Sequence, residues 1–202
     1  MRQTDISDKL AVRLLPRVRI LVSSSNPEVI KSAESQAYPK KTIAINKDGL
    51  PTPVFYNNEI ELKQHDTDLL VFLNDIFWFA SEDSLTRIVE KYVENEFKTP
   101  IIYSDVAQTD GVHITHQYLP YFSAKDFVQN SMAPNTGFTI ESKILSPRPF
   151  DERLTGLYFF AFLNGAASRC LMQHIPEPLY LMSNVNQDVQ QDIAILQNGQ
   201  AR

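Results

Sequence analysis

The stretch VRILVSSSNPEVIKSAESQAYPKKTIAINKDG, residues 18–49, decides the fold class. Val18 to Val22 is a short apolar run that breaks into three serines and Asn26. Pro27 follows at once. Proline suits the first turn of a helix, where its missing N–H has no partner to lose, and Asn26 supplies the cap. Glu28 to Gln36 then reads as a helix, closed by Tyr38-Pro39. Lys41 to Asn46 (KTIAIN) is a second strand, and Lys47-Asp48-Gly49 turns the chain after it. Strand, helix, strand in that order is the signature of a parallel α/β sheet.

Outward from this unit the chain keeps the same rhythm. Asp68 to Leu73 (DLLVFL) is continuously apolar, as a central strand covered on both faces must be. Between them, Val54 to Lys63 reads as a hairpin, with Asn57-Asn58 as its turn and Glu59 to Leu62 as the return. Ser81 or Asp83 caps a helix running to about residue 96, with Leu85, Ile88, Val89, Tyr92 and Val93 on its apolar face. Thr99 to Val106 is a strand ending in an acid, and His113 to Tyr118 an edge strand. Ala124 to Gln129 reads as a short helix, Thr136 to Ile140 as extended chain, and Leu154 to Ala167 as a helix apolar nearly all round. Pro176 to Met182 begins a last strand. Residues 1–16, with a short helix over Asp5 to Leu15, form an appendage. Residues 17–182 form the domain, and 183–202 a polar tail.

The chain has 202 residues, 43% hydrophobic and 21% charged, enough for one real core. A net charge of -5 leaves no basic surplus for a phosphate backbone, so nucleic acid is not an expected partner. Cys170 is the only cysteine, which excludes an internal disulfide and a thiolate zinc site; it reads as a small buried hydrophobe. The opening MRQTDISDKL lacks the apolar core of a secretory signal. The longest apolar run, Leu157 to Leu163, is far too short to span a bilayer. The expected location is the cytoplasm, or an assembly made there.

Taken together, the blocks resemble the family-2 glycosyltransferases, whose nucleotide-sugar domain has the GT-A fold. Ile20 to Pro39 is similar to that family's opening strand, turn and helix, with AESQAYP standing for a Q-x-Y-P-like ending. Thr42 to Gly49 resembles its second strand and D-D-G turn. Asp68 to Val89 resembles the strand that ends in an acidic cluster, with its following helix, and Ile101 to Val106 resembles the V-Y-G-D-V strand. The most specific block is the late one. FDERL at Phe150–Leu154 and IPEPLYL at Ile175–Leu181 stand at about the family's separation.

The resemblance implies a three-layer α/β/α, Rossmann-like domain of GT-A type with a mostly parallel central sheet. It also implies a nucleoside diphosphate sugar held at the carboxyl ends of the strands. On that reading Ser23, Asn26, Asp48, Asn74 and Asp75 lie on the nucleotide side. A paired-acid motif would hold Mg²⁺ or Mn²⁺ against the diphosphate, and a late carboxylate would take the proton of the acceptor hydroxyl.

The chain departs from the family where that chemistry is done. At the metal position it reads Leu73-Asn74-Asp75-Ile76-Phe77, so Asp75 is the one carboxylate left for a cation; a turn or cap role is its plainer reading. Where the family has E-D-Y-D, this chain reads Thr155-Gly156-Leu157-Tyr158-Phe159-Phe160, and leucine accepts no proton. Asp151 and Glu152, just upstream, are the weak candidates for a base. The stretch between Gly49 and Asp68 is shorter than in the family and lacks its N-x-G-x-x-x-A-R-N-like helix. Asp48 has an equally good reading as half of an Asp-Gly turn.

Two functions follow as expectations. The first is a degenerate member that keeps the fold as a binding or structural subunit, with a protein partner or a second copy of itself. The second is an active, inverting glycosyltransferase. The apolar run around Phe159, Phe160 and Phe162 argues for the first, since a helix greasy all round must be buried within the domain or against a partner. Phe77, Trp78 and Phe79 extend that expected patch. His113 and His116 fall on opposite sides of a strand and share no metal. His174 is expected to be a surface or packing residue. No P-loop, G-x-S-x-G or G-x-G-x-x-G occurs.

Overall fold

The computed structural model describes residues 15–63, 66–96, 98–109, 113–117, 137–154, 162 and 171–183. Its elements are β1 (Val18–Ser23), α1 (Pro27–Glu34), β2 (Lys41–Ile45), α2 (Thr52–Lys63), β3 (Leu69–Asn74) and β4 (Phe77–Phe79). They continue with α3 (Ser84–Glu94), β5 (Ile101–Thr109), β6 (Ile114–Gln117), β7 (Phe138–Glu141), a 3-10 turn (Ser142–Ile144) and β8 (Met172–Ser183).

Among the described residues the strands form one sheet in the order β2-β1-β3-β7-β5-β8-β4, with β6 beside β5. β1 lies parallel to both β2 and β3, and β5 lies parallel to β8. β7 runs antiparallel to its neighbours β3 and β5, which therefore point the same way. The long strands β1, β2, β3, β5 and β8 thus share one direction. The short strands β4, β6 and β7 run against them, so the sheet is mostly parallel.

Strand alternation makes the layers. Leu69, Val71 and Leu73 of β3 face α1 and α3, through Val29, Ala33, Leu85, Ile88 and Val89. Leu70 and Phe72 face the other way, onto Phe55, Tyr56 and Ile60 of α2 and onto Phe150 and Leu154 of the segment after β7. All six residues of β3 are buried, as its continuous apolar run predicts. The result is the expected three-layer α/β/α domain.

Two expectations are corrected. Val54 to Lys63 is not a hairpin but most of α2. The Asn57-Asn58 turn signal fails because Asn57 is fully buried and its amide serves a distant backbone. It donates to Phe150 O at 2.8 Å and accepts from Phe150 N at 3.0 Å. The signal that was available is Thr52-Pro53, a helix-starting pair at the first turn. Phe77, Trp78 and Phe79 do not extend an exposed patch. They are 3%, 8% and 2% exposed, because β4 pairs with the end of β8 and Trp78 and Phe79 enter the α1/α3 core.

The expected helix over Ala124–Gln129 lies outside the described residues, as do Cys170, Phe159 and Phe160. The appendage up to residue 14 and the tail from residue 184 also lie outside them. No helix among the described residues is long and apolar enough to cross a membrane.

Candidate functional site

The carboxyl ends of β1 and β3 meet side by side, with Ser23 opposite Asn74 in register. Just beyond them the chain turns twice, and both turns are built from polar side chains. Asn26 caps α1 by accepting the N–H of Glu28 at 2.9 Å. Ser24 Oγ accepts the N–H of Asn26 at 2.9 Å and donates to Asp75 Oδ1, tying the two turns together. Asn74 Oδ1 accepts from the N–H groups of Ile76 and Phe77 at 2.9 and 3.0 Å. That oxygen is committed to an Asx turn, so of the neighbouring pair it is the exposed Asp75 that turns its carboxylate outward.

A second polar strip continues along the α2 side. Ser23 Oγ donates to Thr52 Oγ1 at 2.9 Å at the start of α2, and accepts from Asn46 Nδ2 at 3.4 Å. The Asn46 amide also closes the loop after β2, donating to Leu50 O at 2.7 Å and accepting from Leu50 N at 3.0 Å. Gly49 sits in that loop at φ 64°, a left-handed value that glycine tolerates best. Asp48 stands exposed beside it. The structure therefore brings Ser23, Asn26, Asn74 and Asp75 together with Ser24, Asn46 and Thr52. Asp48 stays on the rim.

A divalent cation fits this place only in a sparse form. Among the described residues no group of three or more His, Cys, Asp and Glu side chains is gathered for a metal. Asp75 would be the single carboxylate ligand. Mg²⁺ is often held by one or two carboxylates, with waters and substrate phosphates filling its shell, so the donor set suits an ion that arrives with a diphosphate.

Asp151 and Glu152 lie on the α2 face, beneath Phe150. Asp151 accepts from Arg153 Nε at 2.9 Å and from Arg153 Nη2 at 2.5 Å. The Arg153 hydrogen bond holds its carboxyl below the usual range, against a smaller upward push from burial. Glu152 accepts from Asn57 Nδ2 at 3.1 Å and pairs with Arg148 at 2.9 Å. Those bonds, Asn57 first, also keep its carboxyl low. Both acids fasten the 148–154 segment to α2 and to itself, and a carboxylate held this low is a weak proton acceptor. Phe162, of the apolar run, is partly buried and sets its ring edge-on against Phe150 at 5.6 Å.

The sequence reading missed one pair. His174 Nε2 lies 2.8 Å from Asp105 Oδ1, although the two are 69 positions apart. Asp105 is 1% exposed and His174 11%. The imidazole stacks on Tyr103 with centroids 4.8 Å apart and planes 18° from parallel. The pairing of β5 with β8 is irregular at this point. Ser104 faces Ile175, but Asp105 faces Pro178 and Val106 faces Tyr180, so β8 spends extra residues at Pro176, Glu177 and Leu179. The IPEP sequence, with two prolines that donate nothing to a ladder, is the signal that marks such a bulge.

No family model matches the sequence, and no curated protein matches it by sequence. Solved structures do match by shape. The mannosyltransferase PcManGT from Pyrobaculum calidifontis, solved in complex with GDP-Man and Mn2+, aligns with 94% of this chain at a TM-score of 0.51 and 11% identity. The chain spans 62% of that protein. A197 from STIV aligns with 79% of this chain and 82% of its own at a TM-score of 0.44 and 11% identity. HddC from Yersinia pseudotuberculosis aligns with 88% of this chain and 77% of its own at 0.36 and 11%. At these identities the likeness concerns the fold: this is a glycosyltransferase-like fold of GT-A type.

Proposed function

We propose that the chain binds a nucleoside diphosphate sugar in the crevice at the ends of β1 and β3. In this reading it is a degenerate relative of the family-2 glycosyltransferases, kept as a binding subunit of an assembly. The observation that carries it is the Ser24–Asp75 link. It joins the helix-capping turn after β1 to the turn after β3, and leaves an exposed carboxylate where open α/β sheets take their ligands. Ser23, Asn26, Asn74 and Asp75 line the nucleotide side and Asp48 its rim. Asp75 is the residue that would hold Mg²⁺ or Mn²⁺, and the ion would screen the charge of the diphosphate. The degenerate character rests on the single carboxylate at that position and on Gly156, Leu157 and Phe159 in the family's base segment. Phe159 and Phe160 are the proposed contact with a protein partner or second copy, since Phe162 packs inward on Phe150.

Calorimetric titration of the whole chain with UDP and with GDP, each with and without Mn²⁺, tests the reading. Micromolar, Mn²⁺-dependent binding of one of them is expected, lost in Asp75→Ala. Absence of binding to both overturns it. A second reading, an active inverting glycosyltransferase, is favoured by one observation, the Asp105–His174 pair.

A further inference from the structure

The crevice has a second chemically active corner. Val71 of β3 lies across from Thr139 of β7, and Thr139 from Ile102 of β5. Three residues further along the two co-directional strands stand Asn74 and Asp105. The buried acid therefore sits at the same height as the end of β3, about 10 Å across two strand spacings. It also shares a face with the polar strip. Leu21, Phe72 and Tyr103 all point to the α2 side, so Ser23, Asn74 and Asp105, each two residues on, do the same. His174, stacked on Tyr103, lies on that face too. The 150–154 segment, which leads into the stretch where the resemblance places a base, covers this same face.

We propose that His174, oriented by Asp105, is the proton acceptor of this site in place of the carboxylate that the base segment lacks. The inference rests on the second reading above, an active inverting transferase that holds its nucleotide sugar in the crevice. With Asp105 accepting from Nε2–H, the tautomer is fixed and Nδ1 carries the lone pair. Among the described residues Nδ1 makes no hydrogen bond. The acid behind is 1% exposed and the imidazole side chain in front of it 11%, the order in which a carboxylate supports a histidine base. In the step itself, Nδ1 takes the proton of an incoming hydroxyl as its oxygen bonds to the anomeric carbon. The bond from that carbon to the diphosphate oxygen breaks, and the nucleoside diphosphate leaves with the electron pair. The imidazolium, steadied by Asp105, later returns the proton to water. Strand alternation, which puts Asp105 on the face of Tyr103, sets the acid beside the ring.

The test uses the full chain with Mn²⁺ and UDP-glucose or GDP-mannose as probes, with water as acceptor, and reads the release of UDP or GDP. Wild type should release the nucleotide. His174→Gln, which keeps a donor toward Asp105, should slow release by roughly 100-fold or more while leaving nucleotide affinity within about twofold. His174→Ala should be equally slow, and free imidazole should restore part of its rate, which no packing role explains. Asp105→Asn should slow release with unchanged affinity. Release unaffected by His174→Gln overturns the proposal. So does a wild type that binds UDP or GDP and releases none, an outcome that leaves the binding reading standing. A chain that binds neither nucleotide removes both.

Discussion

The two ends of the sheet use polar residues in opposite ways. At the amino end, polar groups join elements far apart in sequence and are largely consumed in doing so. Glu141 is 2% exposed and accepts from Tyr92 of α3 and from Lys143 at 2.9 Å. Asp68 takes the backbone N–H of Arg17 at 2.7 Å and its guanidinium at 3.3 Å. Tyr38 donates to Pro16 O at 2.6 Å, and burial, with the nearby Asp68 charge, pushes its hydroxyl up to about 12. At the carboxyl ends of β1 and β3 the bonds link one turn to the next, as Ser24 does with Asp75, and Asp75 stays exposed. The amino end is closed by its polar residues. The carboxyl end is left open by them, which is the arrangement a ligand site needs.

Substitutions at the two ends should separate along this line. The largest effect is expected from Glu141→Ala. It leaves the Tyr92 hydroxyl buried without its acceptor and should cost about 2–3 kcal/mol in denaturant melts. A loss under about 0.5 kcal/mol would mean that water replaces the carboxylate and the amino end is less closed than described. Gly137→Ala comes next. A Cβ there would stand 2.5 Å from the ring of Tyr180, a fully buried side chain stacked on Phe79. Displacing that ring should cost about 1–3 kcal/mol.

Asp68→Asn is smaller and depends on pH. Burial raises the Asp68 carboxyl, but the Arg17 side-chain and backbone bonds outweigh it and the net position is below the usual value. A lowered folded-state value means the stabilisation is present above the unfolded carboxylate pKa and fades as pH falls through the folded one. Wild type should therefore exceed Asp68→Asn by about 1 kcal/mol or less at neutral pH, and the gap should close below about pH 4. The smallest stability effect belongs to Asp75→Ala, under about 0.5 kcal/mol by thermal melt, although it should abolish Mn²⁺-dependent nucleotide binding. A loss above about 2 kcal/mol would make Asp75 a structural residue and erase the contrast between the two ends.

Much of this architecture could be read in advance. β1, α1, β2 and β3 follow from an apolar run, a capping asparagine, a first-turn proline and an unbroken hydrophobic strand, all signals contained within a few residues. The polar turns beyond β1 and β3 were legible for the same reason, since Ser23, Asn26, Asn74 and Asp75 stand where strands end. α2 was not legible. Its Asn57 carries a local turn signal that is overruled by two bonds to Phe150, 93 positions away. Phe77, Trp78 and Phe79 likewise gave no local sign of being core, because what buries them is the pairing of β4 with β8.

The sequence by itself determined the α/β class, the central strand and the turns that place an acid at the mouth of the crevice. Each of these depends on side chains close together along the chain. Only the tertiary structure decided which of the remaining polar residues meet. Asp105 and His174 look like a strand-end acid and a stray histidine until β8 comes to lie against β5, with a break in register at that point. Such a meeting is set by strand order and register, and these are fixed by the packing of the whole sheet between its two helical layers.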